Sequence, residues 1–226
     1  MEIKPEYRTL KSIFKTLSSV KDWHALRTHA LSQLDWGTSR HNSESRNSFG
    51  ALPWWSYSCT HFLDQVVPTE ATVLEIGGGA SSVWWLNRGN HVITFESDGN
   101  WAEQITKLTK PFAGMHELYT FDRLAEIEDQ LEGRTFDVTV NDGSVDRNVC
   151  SQILRNHQNQ TGLMIWDNSD RDEYLDGVND LKLHGWKGID FFGLGPINAY
   201  ASQTTIFTLE PINPSGRKSV FKTISN

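Results

Sequence analysis

Leu10, Ile13, Phe14, Leu17 and Val20 recur three and four positions apart, and Leu26, Ala30, Leu31 and Leu34 continue the spacing beyond Trp23. Apolar positions at that interval fall along one side of a helix, so the pattern predicts helix across residues 1–36. Residues 37–50, "GTSRHNSESRNSFG", are polar, Ser/Asn-rich and without periodicity, which predicts a loop or flap. "ALPWWSYSCTHFLDQVVP", residues 51–68, predicts a further helix ended by Pro68. Residues 1–69 therefore read as an N-terminal helical segment, with 37–58 as a mobile lid.

From residue 72 the pattern changes. Short apolar runs at Thr72–Ile76, His91–Phe95, Met115–Tyr119, Phe136–Asn141 and Gly162–Trp166 alternate with helical segments around Ser82–Arg88, Trp101–Lys107, Leu124–Leu131, Asn148–Asn156 and Glu173–Leu183. Strands alternating with helices predict β-α-β units and a mostly parallel sheet. The end departs from this rule. Trp186–Phe192 and Gln203–Leu209 are strand candidates joined by a Gly/Pro/Asn loop with no helix, so they should pair antiparallel. The fold class is α/β: a Rossmann-like doubly wound sheet, mostly parallel with an antiparallel last strand, plus N-terminal helices. The sheet domain spans 70–226.

Composition narrows the function. With 226 residues the chain suits one domain with an appended segment, and 38% hydrophobic with 22% charged residues is ordinary for a globular protein. A formal net charge of −7 argues against nucleic acid as a partner, because phosphate binding needs surplus Lys and Arg. Cys59 and Cys150, the two cysteines, form no disulfide framework and read as reduced, partly buried thiols. "MEIKPEYRTLKSIFKTL" lacks an apolar signal core, and no run approaches membrane-spanning length. The expectation is a cytoplasmic protein with a small-molecule substrate, no nucleic-acid or membrane partner, and a homodimer as the oligomer to test.

The most informative stretch is "VLEIGGGASSVWWLNRGNHVITFESD", Val73–Asp98. The apolar run Val73–Ile76 ends where the glycines begin, and there the chain must turn sharply into a helix and let a ligand approach the backbone. Gly77 and Gly79 fit that role, and Ser81 or Ser82 can cap the helix that follows. A dinucleotide site would show G-x-G-x-x-G, but here the third position is Ser82. Glu75, two residues before the first glycine, disfavours a pyrophosphate and suits a ligand bearing ammonium and sulfonium charges. Seventeen residues after Gly79, Glu96 ends the second strand, where a carboxylate can bind both ribose hydroxyls or merely cap a turn with Asp98.

"VLEIGGGAS", "VITFESD", "FDVTVNDG" and the terminal hairpin together resemble the successive motifs of class I S-adenosylmethionine-dependent methyltransferases, over about residues 70–210. The resemblance implies a seven-stranded sheet. It also implies S-adenosyl-L-methionine as cofactor, held by Glu75, Gly77, Gly79, Ser81, Ser82 and Glu96. At the end of the third strand, "YTFDRL", it adds Phe121 and Asp122 beside the adenine.

Strand four ends in "NDGSVDR", Asn141–Arg147, and strand five in "WDNSDR", Trp166–Arg171. Ligands bind beyond the carboxyl ends of such strands. Asp142, Asp167 and Asn168 thus share one rim, and two carboxylates with an amide oxygen suit Mg²⁺. The same positions resemble the metal set of catechol and caffeoyl-CoA type O-methyltransferases, where the cation lowers the pKa of a substrate hydroxyl. Those enzymes usually carry a lysine three residues after the first aspartate, whereas here Val145 is followed by Asp146 and Arg147. Asp142 and Arg147 are the catalytic candidates. Asp142 can equally contact the cofactor, and the Asp-Asn pair can simply cap a turn.

Of nine tryptophans, Trp84, Trp85 and Trp186 read as core, whereas Trp54 and Trp55 follow Pro53 in the region expected to cover the cleft, and Trp101 could lie beside the adenine. None of the eight histidines forms a metal-like pair on one element. Arg147 and Arg171 could bind an anionic substrate. The leading reading is a small-molecule methyltransferase acting on a hydroxyl. An adenosyl-binding protein without transferase activity and a nicotinamide-dependent oxidoreductase, the latter disfavoured by Ser82 and Glu75, are the alternatives.

Overall fold

The computed structural model describes Trp36, residues 51–198 and residues 200–212. Apart from Trp36, the expected helix over 1–36 lies outside the described residues, as does the flap over 37–50. The described chain begins with α1 (Tyr57–Val66) and alternates through β1 (Thr72–Ile76), α2 (Ala80–Arg88), β2 (His91–Glu96), α3 (Gly99–Thr109), β3 (His116–Thr120), α4 (Ala125–Leu131), β4 (Phe136–Asn141), α5 (Arg147–Asn156), β5 (Gln158–Asp167) and α6 (Leu175–Leu183). It closes with β6 (Lys187–Leu194) and β7 (Ala201–Thr208), with no helix between them.

The seven strands form one sheet in the order β3-β2-β1-β4-β5-β7-β6. The first five pair in parallel, and β7 pairs antiparallel with both β5 and β6. The expected doubly wound sheet with an antiparallel last strand is therefore present. Because β7 is inserted between β5 and β6, β6 runs in the direction of the parallel strands. Its following loop consequently emerges on the same rim as the ends of β1, β4 and β5.

Side chains alternate between two buried faces, as strands covered by helices on both sides require. Val73, Val138, Val140, Leu163, Ile165 and Ile206 pack with α1 and α2 on one face. Leu74, Ile76, Met164, Trp166 and Phe207 pack with α4, α5 and α6 on the other. Trp84 and Trp85 belong to the first cluster and Trp186 to the second, as expected of core tryptophans.

The helix expected across residues 51–68 is shorter. It starts only at Tyr57, because Ser56 acts as its N-cap and accepts from the Cys59 N–H at 3.3 Å. It ends before Val67, which is extended, as a residue preceding proline prefers. Of the expected mobile lid, Leu52 and Trp55 are anchored in the core and Ser56 is fully covered, whereas Ser58 is exposed. A buried ion pair between Asp64 and Arg88 joins α1 to α2, with the Arg88 guanidinium over the Trp84 ring at 4.8 Å. Both cysteines are free and buried.

Candidate active site

A cleft of about 650 Å³ opens at the carboxyl ends of β1, β2, β4 and β5. Its floor is made of backbone. Gly77 donates to the Phe95 carbonyl at 2.8 Å, and Asp142 donates to the Ile76 carbonyl at 3.0 Å, so the turns after β1 and β4 pack directly together. Gly77 has φ +86, and a Cβ there would lie 2.5 Å from the backbone of Gly143. Both the positive φ and the contact require glycine. At Gly79, with φ +152, the missing Cβ faces the Trp101 indole, whose N–H donates to the Gly78 carbonyl at 2.8 Å.

Beneath this turn lies Glu75, fully buried. Its Oε2 accepts from Ser82 at 2.5 Å and from Thr94 at 3.3 Å, while Ser82 Oγ accepts from the Gly79 N–H at 3.1 Å. Burial pushes the Glu75 carboxyl up to about 7 against the pull of the neighbouring hydroxyls. Glu75 Oε1 has no hydrogen-bond partner among the described residues. Glu75 and Ser82 thus prop the turn from below.

The expected cofactor residues divide accordingly. Gly77, Glu96 and Asp142 line the cleft, whereas Glu75, Gly79, Ser81, Ser82, Phe121 and Asp122 do not. Ser81 is buried, and Phe121 packs edge-on to Phe95 in the core. Asp122 is exposed, with its backbone N–H given to Glu126 at 3.1 Å. Glu96 caps the turn with Asp98, its carboxylate accepting from the Asp98 N–H at 2.9 Å, and it also lines the cleft.

At the rim, the expected trio of Asp142, Asp167 and Asn168 converges on the cleft. Asp142 is held from two sides, its Oδ1 accepting from Arg147 Nη2 at 2.9 Å and its Oδ2 from the Trp55 indole at 3.2 Å. The rest of the Arg147 guanidinium is occupied by backbone carbonyls: Nε donates to Gly143 at 2.8 Å, Nη2 to Asp142 at 3.1 Å and Nη1 to Asp167. Every nitrogen of this arginine is engaged, so it clamps the ends of β4 and β5 together and has no nitrogen left over for a substrate.

Asp167 accepts from Thr204 at 2.7 Å. Burial first, and then the neighbouring Asp142 carboxylate, push Asp167 up to about 7, and Asp142 is itself raised by burial despite Arg147 and Trp55. Asn168 sits in the left-handed region at φ 54, as asparagine tolerates where a strand turns sharply. Among the described residues no group of three or more His, Cys, Asp or Glu is placed to hold a metal, so any cation would rest on two carboxylates and an amide. That set of oxygen donors is of the kind a hard divalent ion takes.

Of the two tryptophans expected to cover the cleft, Trp54 lines it, 5.9 Å from Trp101, whereas Trp55 is fully buried and touches the site only through its N–H. Pattern reading missed the wall formed by Tyr174, Ile197, Asn198 and Tyr200. The signal for the last three was the direction of β6, since a parallel strand delivers its following loop to the ligand-binding rim.

No family model matches the chain, and no curated protein does. Solved structures do share its fold. An O-methyltransferase from Bacillus cereus in complex with SAH superposes with a TM-score of 0.54 at 17% identity, covering 63% of this chain and 76% of that one. The O-methyltransferase TomG from Streptomyces achromogenes, in complex with SAM, gives 0.51 at 17% identity over 63% and 75%. The likeness, over about 63% of this chain, is one of fold.

Proposed function

We propose that this protein is an S-adenosylmethionine-dependent methyltransferase that acts on a hydroxyl of a small molecule. One observation carries the reading: a glycine turn after β1, Glu96 at the end of β2, and Asp142 and Asp167 at the ends of β4 and β5 all face one cleft. The turn leaves room for a ligand against the backbone, and Glu96 is a paired acceptor suited to two ribose hydroxyls. The acidic surroundings favour a ligand with ammonium and sulfonium charges. The fold shared with O-methyltransferases crystallised with SAM and SAH supports the same cofactor.

Methyl transfer forms a bond from the acceptor oxygen to the methyl carbon as the sulfur–methyl bond breaks, leaving a neutral thioether and releasing the hydroxyl proton. This chain's part is to hold the two reactants in line and to take that proton. The Trp55–Asp142–Arg147 clamp fixes one carboxylate at the rim, and Asp167 lies beside it, so either can receive the proton. Asp142, Asp167 and Asn168 would also hold a divalent cation, which would lower the pKa of the acceptor hydroxyl.

The test is calorimetry with S-adenosylmethionine and S-adenosylhomocysteine, repeated on Glu96→Ala. Two hydrogen bonds to a carboxylate are together worth about 3 kcal/mol, so affinity should fall roughly a hundredfold. Failure of the wild type to bind either ligand, with NAD bound instead, would overturn the proposal.

A further inference from the structure

The two arginines of the cleft differ in what is left of their charge. Arg147 spends its guanidinium on Asp142 and on three backbone carbonyls. Arg171, three residues beyond Asn168, makes no side-chain hydrogen bond among the described residues. Its one ion-pair partner, Glu173, stands 3.8 Å away, and both side chains are largely exposed, at 45% and 64%. An exposed pair at that separation binds weakly and is readily exchanged for a better anion.

Arg171 nevertheless faces the reaction rim. It lines the cleft, its guanidinium lies 5.9 Å from the Tyr174 ring, and its charge is felt at Asp142, whose carboxyl it helps to hold down. Tyr174 is itself packed, with the Arg147 guanidinium 5.0 Å and the Trp166 ring 6.2 Å from its ring. Tyr200, which is 59% exposed, lines the same cleft together with Ile197 and Trp54. Aromatic side chains and one under-committed guanidinium lining the same cleft form a receptor for a flat body that bears an anion.

We propose that the methyl acceptor is a planar, hydroxylated molecule carrying a carboxylate or similar anionic group, and that Arg171 binds that group while the hydroxyl lies at the Asp142–Asp167 rim. This assignment rests on the methyltransferase reading and adds the class of acceptor to it. Planarity comes from the Tyr174, Tyr200 and Trp54 surfaces. The anion comes from Arg171, the cation of the cleft wall with donors to spare. Because the rest of the rim is acidic, an anion at any other point of the wall would meet repulsion, so Arg171 sets the orientation of the acceptor as well as its affinity.

The experiment uses the full chain saturated with S-adenosylhomocysteine and a matched pair of probes, 4-hydroxybenzoate and phenol, with binding followed by calorimetry and ligand-observed NMR. The expected result is that 4-hydroxybenzoate binds at least tenfold more tightly than phenol. Arg171→Gln should remove that preference, bringing the two probes within about threefold, while leaving S-adenosylhomocysteine affinity unchanged. Arg171→Lys should restore part of it, because a point charge replaces the fork without its geometry. Binding of neither probe, equal binding of both, or a preference that survives Arg171→Gln overturns the acceptor assignment. Absence of S-adenosylhomocysteine binding would instead sink the methyltransferase reading, so the two failures are distinct.

Discussion

Replacing Arg147 with methionine removes the clamp at the centre of the rim while retaining a flexible side chain of comparable length. The Gly143, Asp142 and Asp167 carbonyls then lose a charged donor, and the Asp142 carboxylate keeps only the Trp55 indole. Breaking a buried pair by removing one partner costs about 3–5 kcal/mol. The Arg147 side chain is 7% exposed but that of Asp142 is 24% exposed, so water reaches the orphaned carboxylate and the lower end of that range applies, about 3 kcal/mol. For a chain of this size that is a fall in Tm of roughly 6–12 °C.

Urea unfolding is the assay: the midpoint should move down with the slope unchanged, since the same surface is exposed on unfolding. Arg147→Lys should recover only part of the loss, because an ammonium cannot address Asp142 and three carbonyls in one plane. Arg147→Met combined with Asp142→Asn should cost less than the sum of the two single changes, because each removes the same pair. A loss below about 1 kcal/mol for Arg147→Met, or strict additivity in the double variant, would refute the clamp.

Two further predictions concern protons and cations. Glu75 has a folded pKa of about 7 against an ordinary 4.5, so its contribution to stability is fully present below about 4.5 and is lost as pH rises through 7. Glu75→Gln keeps the partners and removes the titration, so its stability relative to wild type should rise by up to about 3 kcal/mol between pH 4.5 and 8. Taking the difference cancels the opposite slope of His116, which burial lowers to about 4, and a pH-independent difference would contradict the buried-carboxyl account. If a divalent cation serves the Asp142–Asp167–Asn168 rim, EDTA should abolish methyl transfer and Mg²⁺ or Mn²⁺ should restore it. Asp167→Ala should then still bind the adenosyl ligand, and full activity in chelator would remove the cation from the mechanism.

The fold was legible because its signals are local. The central parallel strands β1, β2 and β4 and the second half of β5 are buried and read as short apolar runs, and the pairing of β6 with β7 follows from a Gly/Pro/Asn loop with no room for a helix. Boundaries slipped where polar residues continue an element. β5 begins at Gln158, four residues before the apolar run, because Gln158 pairs with the start of β4 through its side chain as well as its backbone. The site was legible at the strand ends, where topology alone delivers Glu96, Asp142, Asp167 and Asn168 to one rim. It was not legible where a side chain reaches across the chain: Trp55 meets Asp142 over 87 residues, and Arg147 meets the Asp167 carbonyl over 20.

The place of Glu75 is legible from the alternation of its strand. An acid just before a glycine turn suggests a ligand contact, but a strand alternates, and Glu75 shares its parity with Val73, which packs in the core beneath α1 and α2. Its side chain had to enter that face, where Ser82 and Thr94 receive it, and could not point out over the strand end. The same parity places Thr94, directly opposite in the β1–β2 register, on that face as its partner. The carboxyl is therefore a support for the turn that the cofactor would meet. Its removal should be felt first in stability and in the shape of the Gly77–Gly79 turn, and in ligand affinity only through that turn.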